Sequence, residues 1–201
     1  MTRTYELKRR AERQDATRLR IVEVTVGLHE EVGPAATTIT EIADRAGVGR
    51  LTVYRYFPDQ EALLTACTGH WFAEHPAPDP SGWHDIADPT ARTEHAISMV
   101  YAYFAGTGEM LDRAEQDAPS IPVLARLMKP FAITWDRMRD DLAAAWPDDP
   151  ESPVGIARRA AIGHALAFST WRSLTRDQGL TDQLAAELML AAVRCGVRSN
   201  R

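Results

Sequence analysis

Residues 37–64 read TTITEIADRAGVGRLTVYRYFPDQEALL, and how this stretch folds decides the organisation of the chain. Thr38 with Glu41 three residues on is the pattern of a capping box, in which hydroxyl and carboxylate satisfy backbone N–H groups that a helix start leaves open. Ile42 and the small Ala43 and Ala46 then offer a face to neighbouring helices. Gly47 permits the left-handed backbone that ends a helix abruptly, and Val48 is placed to plug the corner. A second short helix over about residues 50–56 has to stop before Pro58, because the residue ahead of proline is disfavoured in helical geometry. Helix, glycine turn and short helix make a helix-turn-helix. Asp59 is a candidate N-cap for a further helix to about residue 71 or 74.

In the short helix Val53 and Phe57, four residues apart, point inward together and turn Arg50, Leu51, Tyr54 and Arg55 to the opposite side. Guanidinium forks match guanine O6 and N7, while tyrosine and threonine hydroxyls bond phosphate oxygens and fix register. A solvated face on an ordinary helical hairpin would account for the same residues, since this geometry also occurs without DNA.

The charge is unevenly spread. Across 201 residues it sums to −5, yet residues 1–57 hold ten Lys or Arg against eight Asp or Glu, and the remainder thirteen against twenty. The first twenty residues alone hold Arg3, Lys8, Arg9, Arg10, Arg13, Arg18 and Arg20 against three acids. Such a basic end suits phosphates, although a solvated terminal charge run is the commoner meaning.

Working outward, nearly every other segment also reads as helix, so the expected fold class is all-α. The alternation of IVEVTV at 21–26 invites a strand, but Ala16, Leu19, Val22, Val26, Leu28 and Val32 continue a helical spacing up to Gly33-Pro34, giving a first helix over about 12–32. The proline-rich HPAPDPSGWHDIADP after residue 74 is too broken to be helical throughout. Beyond it helices are expected at about 90–105, 107–117, 121–145, 152–177 and 181–198. The expected division is a DNA-binding domain over 1–58, with a basic arm at 1–12 that is loose when free, and a larger helical domain over 59–201. No apolar run is long enough to span a bilayer and the start lacks the apolar core of a signal peptide, which predicts a cytoplasmic protein with no membrane partner. Cys67 and Cys195 lack CxxC spacing and read as buried apolar residues.

The stretch from Thr37 to Leu64 closely resembles the N-terminal domain of TetR-family transcriptional repressors, over roughly residues 16–72. The resemblance implies a bacterial regulator in which Thr38, Thr52, Tyr54 and Tyr56 contact phosphates while Arg50, Leu51 and Arg55 face base edges. Three positions depart from the family pattern. Gly49 stands where serine often caps the recognition helix, Gln60 where a lysine often holds a phosphate, and His29 where an aromatic residue is usual. Only Gln60 bears on function, lowering the salt slope by somewhat under one unit.

The second half resembles the family in layout and in pieces such as FSTWRSL and GLTDQLAAELML. The resemblance implies a homodimer built from the last two helices, reading a palindromic double-stranded operator. The sequence agrees: Ile156, Ala161, Ala165, Phe168, Leu184, Leu188 and Ala192 form broad apolar faces with small residues that permit close approach, although an internal core stripe would look alike. Met99, Tyr103, Met110, Met128, Phe131 and Trp135 recur at helical spacing and suit an adaptable pocket as well as plain core, with His164 and His95 as polar handles or satisfied core histidines. The expected ligand is an unidentified apolar or mixed small-molecule effector that lowers operator affinity; a co-repressor is the opposite sign. No cofactor and no metal are expected.

An enzyme finds little support. There is no GxSxG elbow, HExxH, glycine-rich phosphate loop or cysteine beside a histidine, and His70 and His75 are five apart, off the spacing for two ligands on one helix face. A helical adaptor or small-molecule-binding protein without DNA binding is the alternative, and it leaves Arg50 and Arg55 unexplained.

Overall fold

The structure is a computed structural model that describes residues 2–195, with side chains from Tyr5 onward except that of Leu7. Among the described residues there is no strand. The helices are α1 (Thr2–Val32), α2 (Ile39–Ala46), α3 (Arg50–Tyr56), α4 (Gln60–Glu74), α5 (Ser81–His84), α6 (Pro89–Asp117), α7 (Pro122–Leu127), α8 (Lys129–Ala144), α9 (Pro153–Ala165), α10 (Phe168–Arg172) and α11 (Asp182–Cys195), with a π-helical turn at Ser173–Asp177.

The chain forms two compact units, one of Met1–Pro76 with Glu109–Met128, the other of Ala77–Gly108 with Lys129–Arg201. This differs from a division after residue 58, for a packing reason. In the first unit α4 lays Leu64 against Ile121 and Leu124 of the α7 segment, with Ala118, Val123, Leu127 and Met128 around them. Helix α4 therefore shares its core with α1 and α7. Helix α6 contributes to both units.

Several boundaries differ from the sequence reading. The IVEVTV stretch is helical, and Ile21, Val22, Thr25, Val26, Leu28 and His29 are its buried face. Ala16 is exposed, as are Leu19 and Val32, because Leu19 precedes that face and Val32 is the last helical residue. The arm expected to be loose continues α1 from Thr2, its basic residues all exposed among those described. Helices expected at 90–105 and 107–117 are one helix, since Gly106 and Gly108 are accommodated without a break. Where one helix was expected over 121–145 there are two, parted at Met128, and the expected 152–177 helix breaks at Leu166–Ala167 and passes through the π-helical turn. The proline-rich stretch contains the short α5, whose Trp83 is fully buried. Cys67 is buried as expected; Cys195 is exposed, a correction that follows from its place at the end of α11.

In the second unit Phe104, fully buried, is the hub of an aromatic cluster. Its ring centroid lies 5.4 Å from Trp135, 5.3 Å from Phe168 and 5.8 Å from Trp171. A Cβ at Gly108 would meet the Trp171 ring at 2.9 Å, so a glycine lets the indole lie against α6. Arg158 joins α9 to α11 by donating to the Val193 carbonyl at 2.6 Å, pairs with Asp148, and lies 4.0 Å over the Trp146 ring.

Candidate nucleic-acid interface

The turn that presents α3 is fixed from both sides. At the start of α2, Thr38 Oγ1 accepts from the Glu41 N–H at 3.2 Å while the Thr38 N–H donates to the Glu41 carboxylate at 3.2 Å, so the capping box forms. At its end Gly47 has φ 64° and the Val48 N–H returns to the Ala43 carbonyl at 3.0 Å. A side chain at that φ costs about 1–2 kcal/mol, which glycine avoids. Arg20 of α1 donates through Nε to the Ala46 carbonyl at 2.9 Å, tying the last turn of α2 to α1. Arg18 lies 5.1 Å over the Phe57 ring, and Arg45 forms a two-pronged pair with Glu31 at 2.6 and 2.7 Å. That pair holds the Glu31 carboxyl below its ordinary range, chiefly through the hydrogen bond from Arg45. Arg18 and Arg20, counted in the sequence as part of a basic flank, thus also hold the motif together.

With the scaffold fixed, α3 has one buried edge. Val53 is fully buried and Phe57 nearly so; Arg50, Tyr54 and Arg55 are exposed, Thr52 and Tyr56 half-exposed, and Leu51 is 85% exposed. An almost fully exposed leucine on a seven-residue helix contributes nothing to the core it stands on. Gly49 provides an extended N-cap without a side-chain hydrogen bond, and the Thr52 N–H bonds its carbonyl at 2.8 Å. The Arg55 guanidinium rests 5.2 Å over the Tyr56 ring. Both donors of Thr38 go to Glu41, its hydroxyl at 2.9 Å, so in the free protein this residue is engaged by its own helix. The structure brings Arg50, Leu51, Thr52, Tyr54, Arg55 and Tyr56 onto one helix, while Thr38 stands apart in sequence at the capped start of α2. Sequence reasoning missed the clamp from Arg20, for which a lone arginine in a charged run gives no signal.

A family model for bacterial regulatory proteins of the tetR family matches residues 21–67, the span from the buried part of α1 to α4. An HTH-type transcriptional regulator of Mycobacterium tuberculosis is 41% identical over 174 residues, covering 85% of this chain and 69% of that protein. The chain belongs to the TetR family. The HTH-type transcriptional repressor KstR of the same organism is 36% identical over 63 residues, 31% of this chain and 29% of the repressor. A TetR-family regulator of Syntrophomonas wolfei, 17% identical, matches 93% of this chain and 99% of its own with a TM-score of 0.62, which speaks for the fold.

Outside the helix-turn-helix, the TetR-family chain distributes the expected pocket residues over two places. Met110 and Met128 line a cavity of about 30 Å³ in the first unit, with Val26, His29, Cys67 and Trp71. Burial pushes the His29 imidazole down to about 4 against a weaker pull from Asp117, and pushes the Cys67 thiol up to about 12. Tyr103, Phe131 and Trp135 instead gather in the second unit, with ring centroids 5.0 Å apart for Phe131 and Trp135 and 5.9 Å for Tyr103 and Trp135. Met99 in that unit lies beside Gly82. His164 is exposed and pairs with the Thr170 hydroxyl at 3.1 Å; neither it nor the exposed His95 is a core histidine, because both sit on outward faces of their helices.

The residues expected at a dimer face also divide. Ile156, Leu184 and Leu188 are 58%, 50% and 47% exposed, and Ala192 is exposed with them; Ala161 is half-buried. Ala165 and Phe168 are buried within their own unit, Phe168 in the ring cluster around Phe104, so they fill core. Among the described residues no helix is long and apolar enough to cross a membrane, and no group of three or more His, Cys, Asp or Glu is placed to hold a metal.

Proposed function

We propose that this TetR-family regulator is a cytoplasmic, non-catalytic repressor that binds a palindromic double-stranded operator as a homodimer and is released by a small-molecule effector. The observation that carries the reading is the sidedness of α3: Val53 and Phe57 lock it to the scaffold while Arg50, Leu51, Tyr54 and Arg55 stand exposed. Arg50 and Arg55 match guanine edges, Leu51 a thymine methyl, and the hydroxyls of Thr52, Tyr54 and Tyr56 the phosphates that set register. A single seven-residue helix spans too few base pairs for a specific site, and a second copy related by a two-fold axis supplies the other half-site. The exposed Ile156, Leu184, Leu188 and Ala192 on α9 and α11 are the surface a second copy covers, giving a four-helix contact. The relative KstR, a repressor by name, supports the direction of control.

The test is selection of bound sequences from a random duplex pool, with the wild type and the Arg50→Ala, Arg55→Ala double variant in parallel. A palindrome enriched by the wild type and lost in the variant is expected, with unchanged thermal unfolding because both side chains are exposed. Equal enrichment by both proteins would move the reading surface away from α3.

A further inference from the structure

The second unit contains two hydrogen-bond donors that the fold leaves unanswered. Among the described residues, the buried side-chain polar atoms without a partner are the Tyr101 hydroxyl and the Trp135 Nε1. Tyr101 itself is 1% exposed. Leaving a buried donor unmet costs the full desolvation of the group, so such atoms call for an explanation. The fold does supply acceptors to indoles elsewhere: Trp83 donates to Asp141 at 3.3 Å, Trp146 to Thr93 at 3.2 Å and Trp171 to Asp182 at 2.7 Å. Trp135 is the exception, and it shares a neighbour with the other orphan. The Phe104 ring has the Tyr101 ring centroid at 6.5 Å and that of Trp135 at 5.4 Å, so both rings that carry an orphan donor border the same buried phenyl group.

We propose that Tyr101 and Trp135 are the polar handles of an effector site in the cluster around Phe104, and that this site takes an uncharged, planar, largely apolar molecule bearing a carbonyl-type acceptor. The inference rests on the reading of the chain as an effector-responsive regulator. An indole N–H only donates, so the ligand must accept. The surrounding rings supply apolar stacking surface for a planar body. Charge argues for a neutral ligand. Of the nearby cations, Arg172 and Arg176 lie over the Phe168 and Trp171 rings at 5.8 and 5.6 Å, whereas the Tyr101 phenol is pushed up by burial first and by the Asp182 carboxylate second. An anion would meet that carboxylate. The side of the cluster nearest to solvent is its half-buried part, Tyr103, Phe131 and Trp135, with Phe131 and Trp135 one turn apart on α8.

The experiment titrates the full chain with a propionyl-dimethylaminonaphthalene, a neutral fluorescent aryl ketone, beside analogues in which propyl or a carboxylate replaces the propionyl group. The ketone is expected to bind with an emission to the blue of that in water but, because of the hydrogen bond, to the red of that in an alkane, about tenfold tighter than the propyl analogue and tighter than the carboxylate. Tyr101→Phe and Trp135→Phe should each weaken the ketone about fivefold and change the propyl analogue much less, which separates a lost donor from altered packing. Without ligand, Tyr101→Phe should unfold at the same or a higher temperature, because it removes an unmet buried hydroxyl and nothing else. Equal affinity for ketone and propyl analogue, preference for the carboxylate, absence of binding, or a Tyr101→Phe protein that melts several degrees lower would each overturn the assignment. Duplex selection on the same preparation keeps the two readings apart. A palindrome selected by a protein that ignores the ketone sinks the site and leaves the regulator. Donor-dependent ketone binding that leaves DNA affinity unchanged keeps the site and removes effector release.

Discussion

Leu51 and Val53 are two residues apart on one short helix, and one is 85% exposed while the other is fully buried. That contrast separates stability from recognition at single positions. Leu51→Ala should leave thermal unfolding unchanged and weaken operator binding, whereas Val53→Ala should cost about 2 kcal/mol of stability by leaving a cavity, read in denaturant titration. His29 offers a second test. Its imidazole is held at about 4 by burial, so the folded protein keeps it neutral while the unfolded chain protonates near 6.5. Between those values the unfolded state binds more protons, so stability is complete above pH 6.5 and falls as pH drops towards 4, by about 3 kcal/mol. His29→Phe should flatten that part of the pH–stability profile relative to the wild type, the facing Asp117 carboxylate being retained. An equal slope in both proteins would assign the effect to other groups. That His29 is a packing residue was legible in its place on the apolar face of α1; its depressed titration was not, because desolvation depends on the walls that α4, α6 and α7 bring to it.

At the scale of the element, the helix-turn-helix is written almost completely in local sequence, since a capping box, a left-handed glycine and a proline stop act within a few residues of themselves. Thr38→Ala should remove about 1 kcal/mol through the α2 cap, and the loss should appear in thermal unfolding whether or not DNA is present. Gly49→Ser should gain a few tenths of a kcal/mol by adding the missing cap to α3. The longer helices were less legible. Residues 121–145 and 152–177 each carry a continuous apolar period; Pro130 is a local signal for the break at Met128, since proline belongs in the first turn of a helix and not in its interior, whereas nothing local marks the break at Leu166–Ala167, which tertiary packing imposes. Gly33 shows the converse, a local signal with a distant cause. Its φ of 87° ends α1, and a Cβ there would stand 2.7 Å from the Asp117 carboxylate that accepts from the Ala35 N–H at 2.8 Å. Gly33→Ala should therefore destabilise by more than the 1–2 kcal/mol of the backbone alone, and Asp117→Ala in the same chain should recover the excess, measured as a double-mutant cycle.

For the whole molecule, the remaining question is what covers α9 and α11. Leu184→Glu with Leu188→Glu places charge on two half-exposed apolar positions, so the folded helix content should persist while light scattering reports a monomer. Operator affinity should fall with it, because one half-site is lost. A dimer that survives both substitutions would place the two-fold contact elsewhere.

By itself the sequence determined the all-helical class, the family, and which residues of α3 face outward, because these depend on periods, caps and turns that act over a few residues. Tertiary structure alone decided the rest. Ala165 and Phe168 went into core while Ile156 and Leu184 stayed outside, and Met110 and Met128 were parted from Tyr103, Phe131 and Trp135. Apolar periodicity states that a face is buried and is silent on which partner buries it, so residues of one composition went to two separate clusters. The orphaned Tyr101 hydroxyl and Trp135 indole belong to the same class of fact: a side chain's donor is written in the sequence, and whether an acceptor reaches it is settled only when the chain has packed.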